Sequence, residues 1–262
     1  MTGYYPAWFR TGKMPGMNSL PALPACCTPL CADWPLPHAL PGSMWLSTCF
    51  NPDHLAADDF ARSAIDKPAS IQRSVAKRQA EFLAGRLCAR AALLQLDGTR
   101  ATPGIGDDRS PVWPAHICGS ITHSNGRAAA LVAHKDQWQG LGIDLENLLS
   151  TERAQRLASE ILTGPELQRM TAGPAADIAL LVTLTFSVKE SLFKALFPLV
   201  KKRFYFEHAE VLSWTPQGHV RLRLLTDLSP EWHHGRELDA QFCLFEEQLL
   251  SLVAIRAASA AD

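Results

Sequence analysis

The chain has 262 residues, a formal net charge of −1, 47% hydrophobic and 19% charged residues. That length allows one large domain or two small ones, each with its own core. The near-neutral balance excludes a global field that would draw the protein to nucleic acid or to a membrane surface, so any anion must be met by local clusters of Lys and Arg.

Seven cysteines, an odd number with no framework spacing, suit reduced thiols in a cytoplasm. Cys26, Cys27 and Cys31, with His38 nearby, match no usual zinc spacing and lie in a proline-rich segment. No apolar run reaches the roughly 18 residues of a membrane span, and the N-terminus lacks the apolar core of a signal peptide.

Residues 1–44 hold eight of the eighteen prolines and read as an extended arm over the surface. The first sixteen residues are expected to be dispensable, with Met14 or Met17 as an alternative start. Ser43–Phe50 reads as a strand. One long helix is expected from Pro68 to about Leu96, with Ile71, Val75, Phe82, Ala89, Leu93 and Leu96 as its buried stripe and Asp97-Gly98 as its stop. Its polar side is basic, with Arg73, Lys77, Arg78, Arg86 and Arg90. Gly85 in the helix interior costs about 1 kcal/mol relative to Ala, so a neighbouring backbone or a ligand must come close there. Residues 99–108 read as loop, and Arg109–Pro114 as a rigid turn. Gly119–Ser124 and Arg127–His134 follow as a strand pair with Thr122 and His123 at its mouth.

Leu141–Glu146 is a strand whose two-residue period puts Asp144 and Glu146 on one face. Two such carboxylates without His or Cys beside them suit Mg²⁺ or Mn²⁺, and Glu190 is a candidate third ligand. Thr151–Ile161 and Gly164–Thr171 read as short helices, the second with Pro165 and Glu166 in its first turn. Ala176–Leu199 reads as a long helix. In it Glu190 and Lys194 share a stripe, beside an aromatic face of Phe186, Phe193 and Phe197. Lys201–Phe206 reads as a helix C-terminus with cations on its dipole and a core-facing loop. Strands are expected at Glu210–Trp214, Val220–Leu225, Ala240–Glu246 and Leu249–Ile255. Long helices beside hairpin-linked strands indicate an α+β fold. Each half offers one long helix and a set of strands. This rough symmetry places a boundary near Gln139-Gly140 and divides the chain into a proline-rich arm (1–44), an N-terminal half (45–139) and a C-terminal half (140–262).

Three segments in fixed order, AGRLCAR with PVWP…GSITH, then GIDLE, then FSVKESLFKA, resemble the 4′-phosphopantetheinyl transferases of the large monomeric type, from roughly Cys27 to Arg256. The match looks closest to the enterobactin-synthetase kind that serves fatty-acid and siderophore carriers. The resemblance implies a pseudo-dimer of two similar α+β halves with the active site in the cleft between them. It implies transfer of phosphopantetheine from coenzyme A to a serine of an apo acyl or peptidyl carrier protein, with release of adenosine 3′,5′-bisphosphate. Asp144, Glu146 and Glu190 match the family's metal-binding acids. Lys194, and Lys189 in the same turn, match lysines near the transferred phosphate. His123 and Arg86 match groups that hold the 3′-phosphate of coenzyme A, and Arg109 stands where the family often has a basic residue beside the nucleotide. Lys77 or Arg78 is expected to assist, and Thr122 retains a hydroxyl where Ser is common. With Asp144, these residues form the expected coenzyme A set, and Glu190 and Lys194 the expected catalytic pair, Glu190 taking the serine proton directly or through a water. A cytoplasmic monomer that binds neither nucleic acid nor membrane is expected. Two competing readings remain: a non-catalytic carrier-binding scaffold of the same fold, and a single-strand nucleic-acid module built on Lys201–Phe206.

Overall fold

A computed structural model describes residues 21–172 and 178–258. The expected dispensable segment, the alternative starts Met14 and Met17, and the first two residues of the expected long helix, Ala176 and Asp177, lie outside the described residues. The fold is α+β, and the chain divides into two compact units. Of the described residues, 21–35 and 40–138 form the N-terminal unit, and 36–39 with those from 139 onward form the C-terminal unit.

The N-terminal unit runs β1 (Ser43–Cys49), a 3₁₀ turn (Pro52–His54), α1 (Asp59–Arg62), α2 (Ala69–Gln72), α3 (Ala76–Asp97), β2 (Gly104–Ile105), β3 (Pro111–Val112), β4 (Ile117–Ser124) and β5 (Arg127–His134). Its main sheet has the order β1-β5-β4, antiparallel throughout. Asn125 and Gly126 both take positive φ, the backbone of a tight hairpin turn between β4 and β5. Helix α3 covers the sheet with mostly small residues: Cys88, Ala89, Ala91 and Ala92, with Leu93, pack on Leu46, Ile117, Ala130 and Val132.

The single helix expected from Pro68 to Leu96 is two helices. Val75 is extended (φ −61°, ψ 155°) and α3 begins after it. The seven-residue spacing from Val75 to Phe82 has meaning only in an unbroken helix, and Val75 is accordingly 73% exposed rather than part of the buried stripe. Gly85 is explained by a neighbouring strand. A Cβ there would lie 2.8 Å from Ile121 Cγ2 on β4. Nor does the described part of the proline-rich arm merely cover the surface. Leu30 and Cys26 enter the core, and Cys27 and Cys31 pair with Phe50 and Ser47. Those apolar residues bury area that the prolines between them cannot.

The C-terminal unit takes in β6 (Trp138–Asn147) from its second residue. It continues with α4 (Thr151–Ile161), α5 (Gly164–Ala172), α6 (Ile178–Val200), a 3₁₀ turn (Phe206–His208), β7 (Ala209–Trp214), β8 (His219–Leu224), β9 (Glu237–Phe245) and β10 (Gln248–Arg256). Its sheet has the order β6-β10-β9-β8-β7. Leu184, Val188, Leu192, Ala195 and Leu196 of α6 form one core with Val220, Leu222, Phe242, Leu249 and Val253. Phe193 packs on Phe197 and Phe204 with ring centroids 5.1 and 5.3 Å away. Phe204 is buried while Tyr205 is 61% exposed, so the basic-aromatic segment after α6 is half core and half surface.

Candidate active site

The acidic face of β6 is built by two glycines. Gly140, Gly142, Asp144 and Glu146 alternate onto one side of the strand. A Cβ on Gly142 would meet Ser191 O at 1.9 Å, and one on Gly140 would meet Ala195 O at 2.5 Å. The strand backbone therefore lies directly against α6, where any larger residue would hold it off. Buried serines close the same interface. Ser187 donates to Asp144 O at 3.3 Å, and the Ser187 and Ser191 hydroxyls each stand 2.8 Å from that of Ser251 on β10. This approach brings Asp144 and Glu146 to the turn of α6 that carries Glu190 and Lys194.

Lys194 Nζ donates to Asp144 Oδ1 at 2.6 Å and to Ile143 O at 3.0 Å. The shared stripe of Glu190 and Lys194 suggested a pair within the helix, whereas the ion pair formed is between helix and strand. Asp144 Oδ2 is buried without a hydrogen-bond partner, a state that costs roughly 1–3 kcal/mol or more for a charged group. Burial, then the Asp144 charge, pushes the Glu146 carboxyl up to about 7, against the pull of Lys194. Burial also raises Glu190, opposed by Lys194 and reinforced by Asp144. Lys194, with the smaller pull of Arg153 on Glu146, thus serves three carboxylates that repel one another. Among the described residues, the ligand oxygens of the three acids do not converge within metal-ligating distance of one another, and Lys194 holds Asp144. The donor set nevertheless fits Mg²⁺: all oxygen, net negative, with one buried oxygen unsatisfied.

Lys189 has a different fate from the one expected. Its ammonium is buried and donates to Ile161 O (2.9 Å), Glu166 Oε2 (2.7 Å) and Phe206 O (3.0 Å). All three protons are used, so no donor remains for a phosphate. Glu166, expected as an ordinary first-turn residue, is 2% exposed and also accepts from the Thr163 and Val211 backbone N–H groups, both at 2.6 Å. Its position at a helix start was readable in the sequence, but its burial was not. Sequence reasoning also missed a cavity of about 190 Å³ beside Glu190, lined by Phe193, Phe204, Tyr205 and Phe206 with Lys189 and Arg203.

In the N-terminal unit, Arg78, Glu81 and His123 come together. Arg78 Nη1 lies 2.8 Å from His123 Nε2 and 3.3 Å from Glu81 Oε2. Arg86 is buried, stacks over the Phe82 ring at 4.7 Å and donates to Gly104 O, while its Nε has no partner. Burial, with the Arg78 charge adding to it, brings its guanidinium down to about 10. Arg109 is exposed at the turn of the β2–β3 hairpin with φ 67°, and Gly104 of that hairpin is what Arg86 holds. Thr122 is buried on β4 and Lys77 is exposed on α3. Arg90, another member of the basic side, is instead buried and donates to the Ser63 and Ala64 carbonyls at the end of α1.

Comparison with known proteins agrees with this geometry. The 4′-phosphopantetheinyl transferase N-terminal domain profile matches residues 66–133, and the 4′-phosphopantetheinyl transferase superfamily profile matches residues 140–252. Enterobactin synthase component D of Escherichia coli (strain K12) is 39% identical over 176 residues, which are 67% of this chain and 81% of that protein. The 4′-phosphopantetheinyl transferase PptT of Mycobacterium tuberculosis is 35% identical over 165 residues, 60% of this chain and 70% of that one. The 4′-phosphopantetheinyl transferase Npt of Nocardia iowensis is 35% identical over 142 residues, 54% and 62% of the respective chains. On the order of its motifs, its fold and these relatives, the chain belongs to the 4′-phosphopantetheinyl transferase superfamily.

Proposed function

We propose that this transferase moves the 4′-phosphopantetheine group of coenzyme A to a serine hydroxyl of apo acyl and peptidyl carrier proteins and releases adenosine 3′,5′-bisphosphate. The observation that carries the reading is the crowding of Asp144, Glu146 and Glu190 around the single ammonium of Lys194. A fold keeps three mutually repelling carboxylates for a cation. Asp144, Glu146 and Glu190 would hold Mg²⁺ or Mn²⁺, which when bound neutralises charge on the diphosphate. Lys194 spends two protons on Ile143 O and Asp144 Oδ1. Its third is the donor for the oxygen that gains charge as the diphosphate bond breaks. Glu190, whose carboxyl is raised from its ordinary range, takes the proton of the attacking serine. The cavity beside Glu190 is mostly apolar in its lining and fits the uncharged pantetheine arm.

The same reading assigns the 3′-phosphate of coenzyme A to Arg86 and His123, with Arg78, Lys77, Arg109 and Thr122 assisting. A buried guanidinium pushed down by burial and by the neighbouring Arg78 charge, with an unpartnered Nε, favours an anion. Lys189 is left out of this set. Among the described residues, no helix is long and apolar enough to cross a membrane, and the reading places the enzyme in the cytoplasm as a monomer. The test is mass spectrometry of apo carrier proteins incubated with coenzyme A, Mg²⁺ and the protein. A gain of one phosphopantetheine mass that chelator abolishes is expected, and no gain on acyl or peptidyl carriers overturns the proposal. Against wild type, Arg86→Ala should raise the KM for coenzyme A about tenfold or more, as loss of a charge-assisted bond does, and leave that for dephospho-coenzyme A nearly unchanged. Equal effects on both substrates would remove Arg86 from the 3′-phosphate.

A further inference from the structure

We propose that Asp97, His116 and His134 form a second metal site, selective for Zn²⁺ and related transition ions over Mg²⁺. It lies within the N-terminal unit and is independent of the transfer reaction. One ligand atom from each residue lies within 4.8 Å of the others. His116 Nε2 stands 2.9 Å from Asp97 Oδ2, and the two imidazole rings stack with centroids 5.8 Å apart. Ligands at the roughly 2.0–2.1 Å bonds of tetrahedral zinc stand about 3.3 Å from one another. The ligand atoms must therefore close by at most about 1.5 Å, a change asked of the side chains.

The backbone positions are held by the core of the unit. Asp97 is the last residue of α3, His134 the last of β5, and His116 immediately precedes β4. Ile117 is paired with His134, and Lys135 N–H donates to His116 O at 2.9 Å, so both histidines leave one end of the same hairpin. Asp97 Oδ1 accepts from Thr99 N–H at 2.9 Å, which fixes the carboxylate while Oδ2 faces His116. That backbone contact is the kind of second partner that orients a metal ligand. The carboxylate also ends a helix, where the dipole opposes negative charge and a cation offsets it. Two imidazoles and one carboxylate are the donor set of Zn²⁺, Co²⁺, Ni²⁺ and Cu²⁺, whereas Mg²⁺ takes oxygen. Three protein ligands at partly exposed positions leave a fourth place for water. A simple His116–Asp97 hydrogen bond accounts for two of the residues but not for the convergence of His134 on the same point.

The test uses the full chain and Co²⁺ as the probe. In millimolar Mg²⁺, which keeps the carboxylate site of the C-terminal unit filled, wild type is expected to take up one equivalent with visible d–d absorption, displaced by Zn²⁺. His116→Ala and His134→Asn should each weaken that uptake at least tenfold, with circular dichroism and transferase activity retained. Zn²⁺ should raise the melting temperature of wild type by a few degrees and not that of the variants. Unchanged uptake in both variants overturns the site, as does no absorbing Co²⁺ complex in wild type. A sulfur charge-transfer band would place the metal on cysteines instead and overturn it equally.

Discussion

Two lysines of α6, five residues apart, meet opposite environments. Lys189 is 3% exposed, carries three acceptors and faces Glu166, which is itself saturated by backbone donors. Lys194 is 29% exposed at its side chain, has two acceptors and faces three carboxylates, one of whose oxygens is buried and unpartnered. The first environment is complete, and the second lacks positive charge. A complete pair holds elements together, here α5, α6 and the start of β7. An incomplete one can receive a ligand. The difference shows that a motif dense in charge need not be catalytic throughout, because successive turns of one helix can carry an anchor and a reactive group.

The largest effect expected is on stability at the anchor. Lys189→Met leaves Glu166 buried without its cation, and loss of one partner of a buried pair costs about 3–5 kcal/mol. Denaturant unfolding should show that loss, while the folded fraction keeps its KM for coenzyme A. A normal midpoint together with a raised KM would move Lys189 to the phosphate and erase the contrast. Lys194→Gln should do the reverse. Removal of a donor to developing charge costs on the order of 10²–10³ in kcat, about 2.7–4 kcal/mol, with KM little changed. Steady-state kinetics on one apo carrier decide it, and a kcat within about threefold of wild type would make Lys194 a structural partner of Asp144.

Gly142→Ala sharpens the comparison through the backbone. The added methyl meets Ser191 O, so β6 and α6 must separate at a cost of about 1–3 kcal/mol. Because the acids sit on the strand and Lys194 on the helix, this substitution should lower activity more than it lowers stability. Ser251→Ala, at the same interface but linked to Asp144 only through Ser187 and the Asp144 carbonyl, should lose stability with little change in kcat. If both variants lose activity in step with stability, the close approach has no special role at the site.

The last effect expected is a pH dependence of the metal-free protein. The native fold raises Glu146 from 4.5 to about 7, with burial the main cause. The native chain therefore binds this proton more tightly than the unfolded chain. The linked stability is fully present below about 4.5 and is lost as pH rises through about 7. In chelator, wild type should lose stability relative to Glu146→Gln across that window, and Mg²⁺ should restore it at the upper end. Parallel pH profiles for the two proteins would mean that Glu146 is not crowded. At the anchor, Lys189→Met should show no Mg²⁺-dependent change in this slope.

The amino-acid order by itself determined the α+β class, the longer strands, the β4–β5, β7–β8 and β9–β10 hairpins and the helix that carries Glu190 and Lys194, but not the short β2–β3 hairpin, which reads as loop and turn. These are readable because side-chain periodicity and turn residues act over a few positions. It also determined that Asp144 and Glu146 share a face, since a strand alternates whatever packs on it. Tertiary structure alone decided the rest. The break at Val75 depends on how α3 seats on its sheet, and a local pattern cannot register that. Whether Glu190 or Asp144 pairs with Lys194 depends on how closely β6 approaches α6. Only packing shows that Gly140 and Gly142 permit this approach. The meeting of Glu166 with Lys189, and of Asp97 with His116 and His134, joins residues from separate elements. Their charges interact through space at distances set by the core, and separation along the chain carries no information about that.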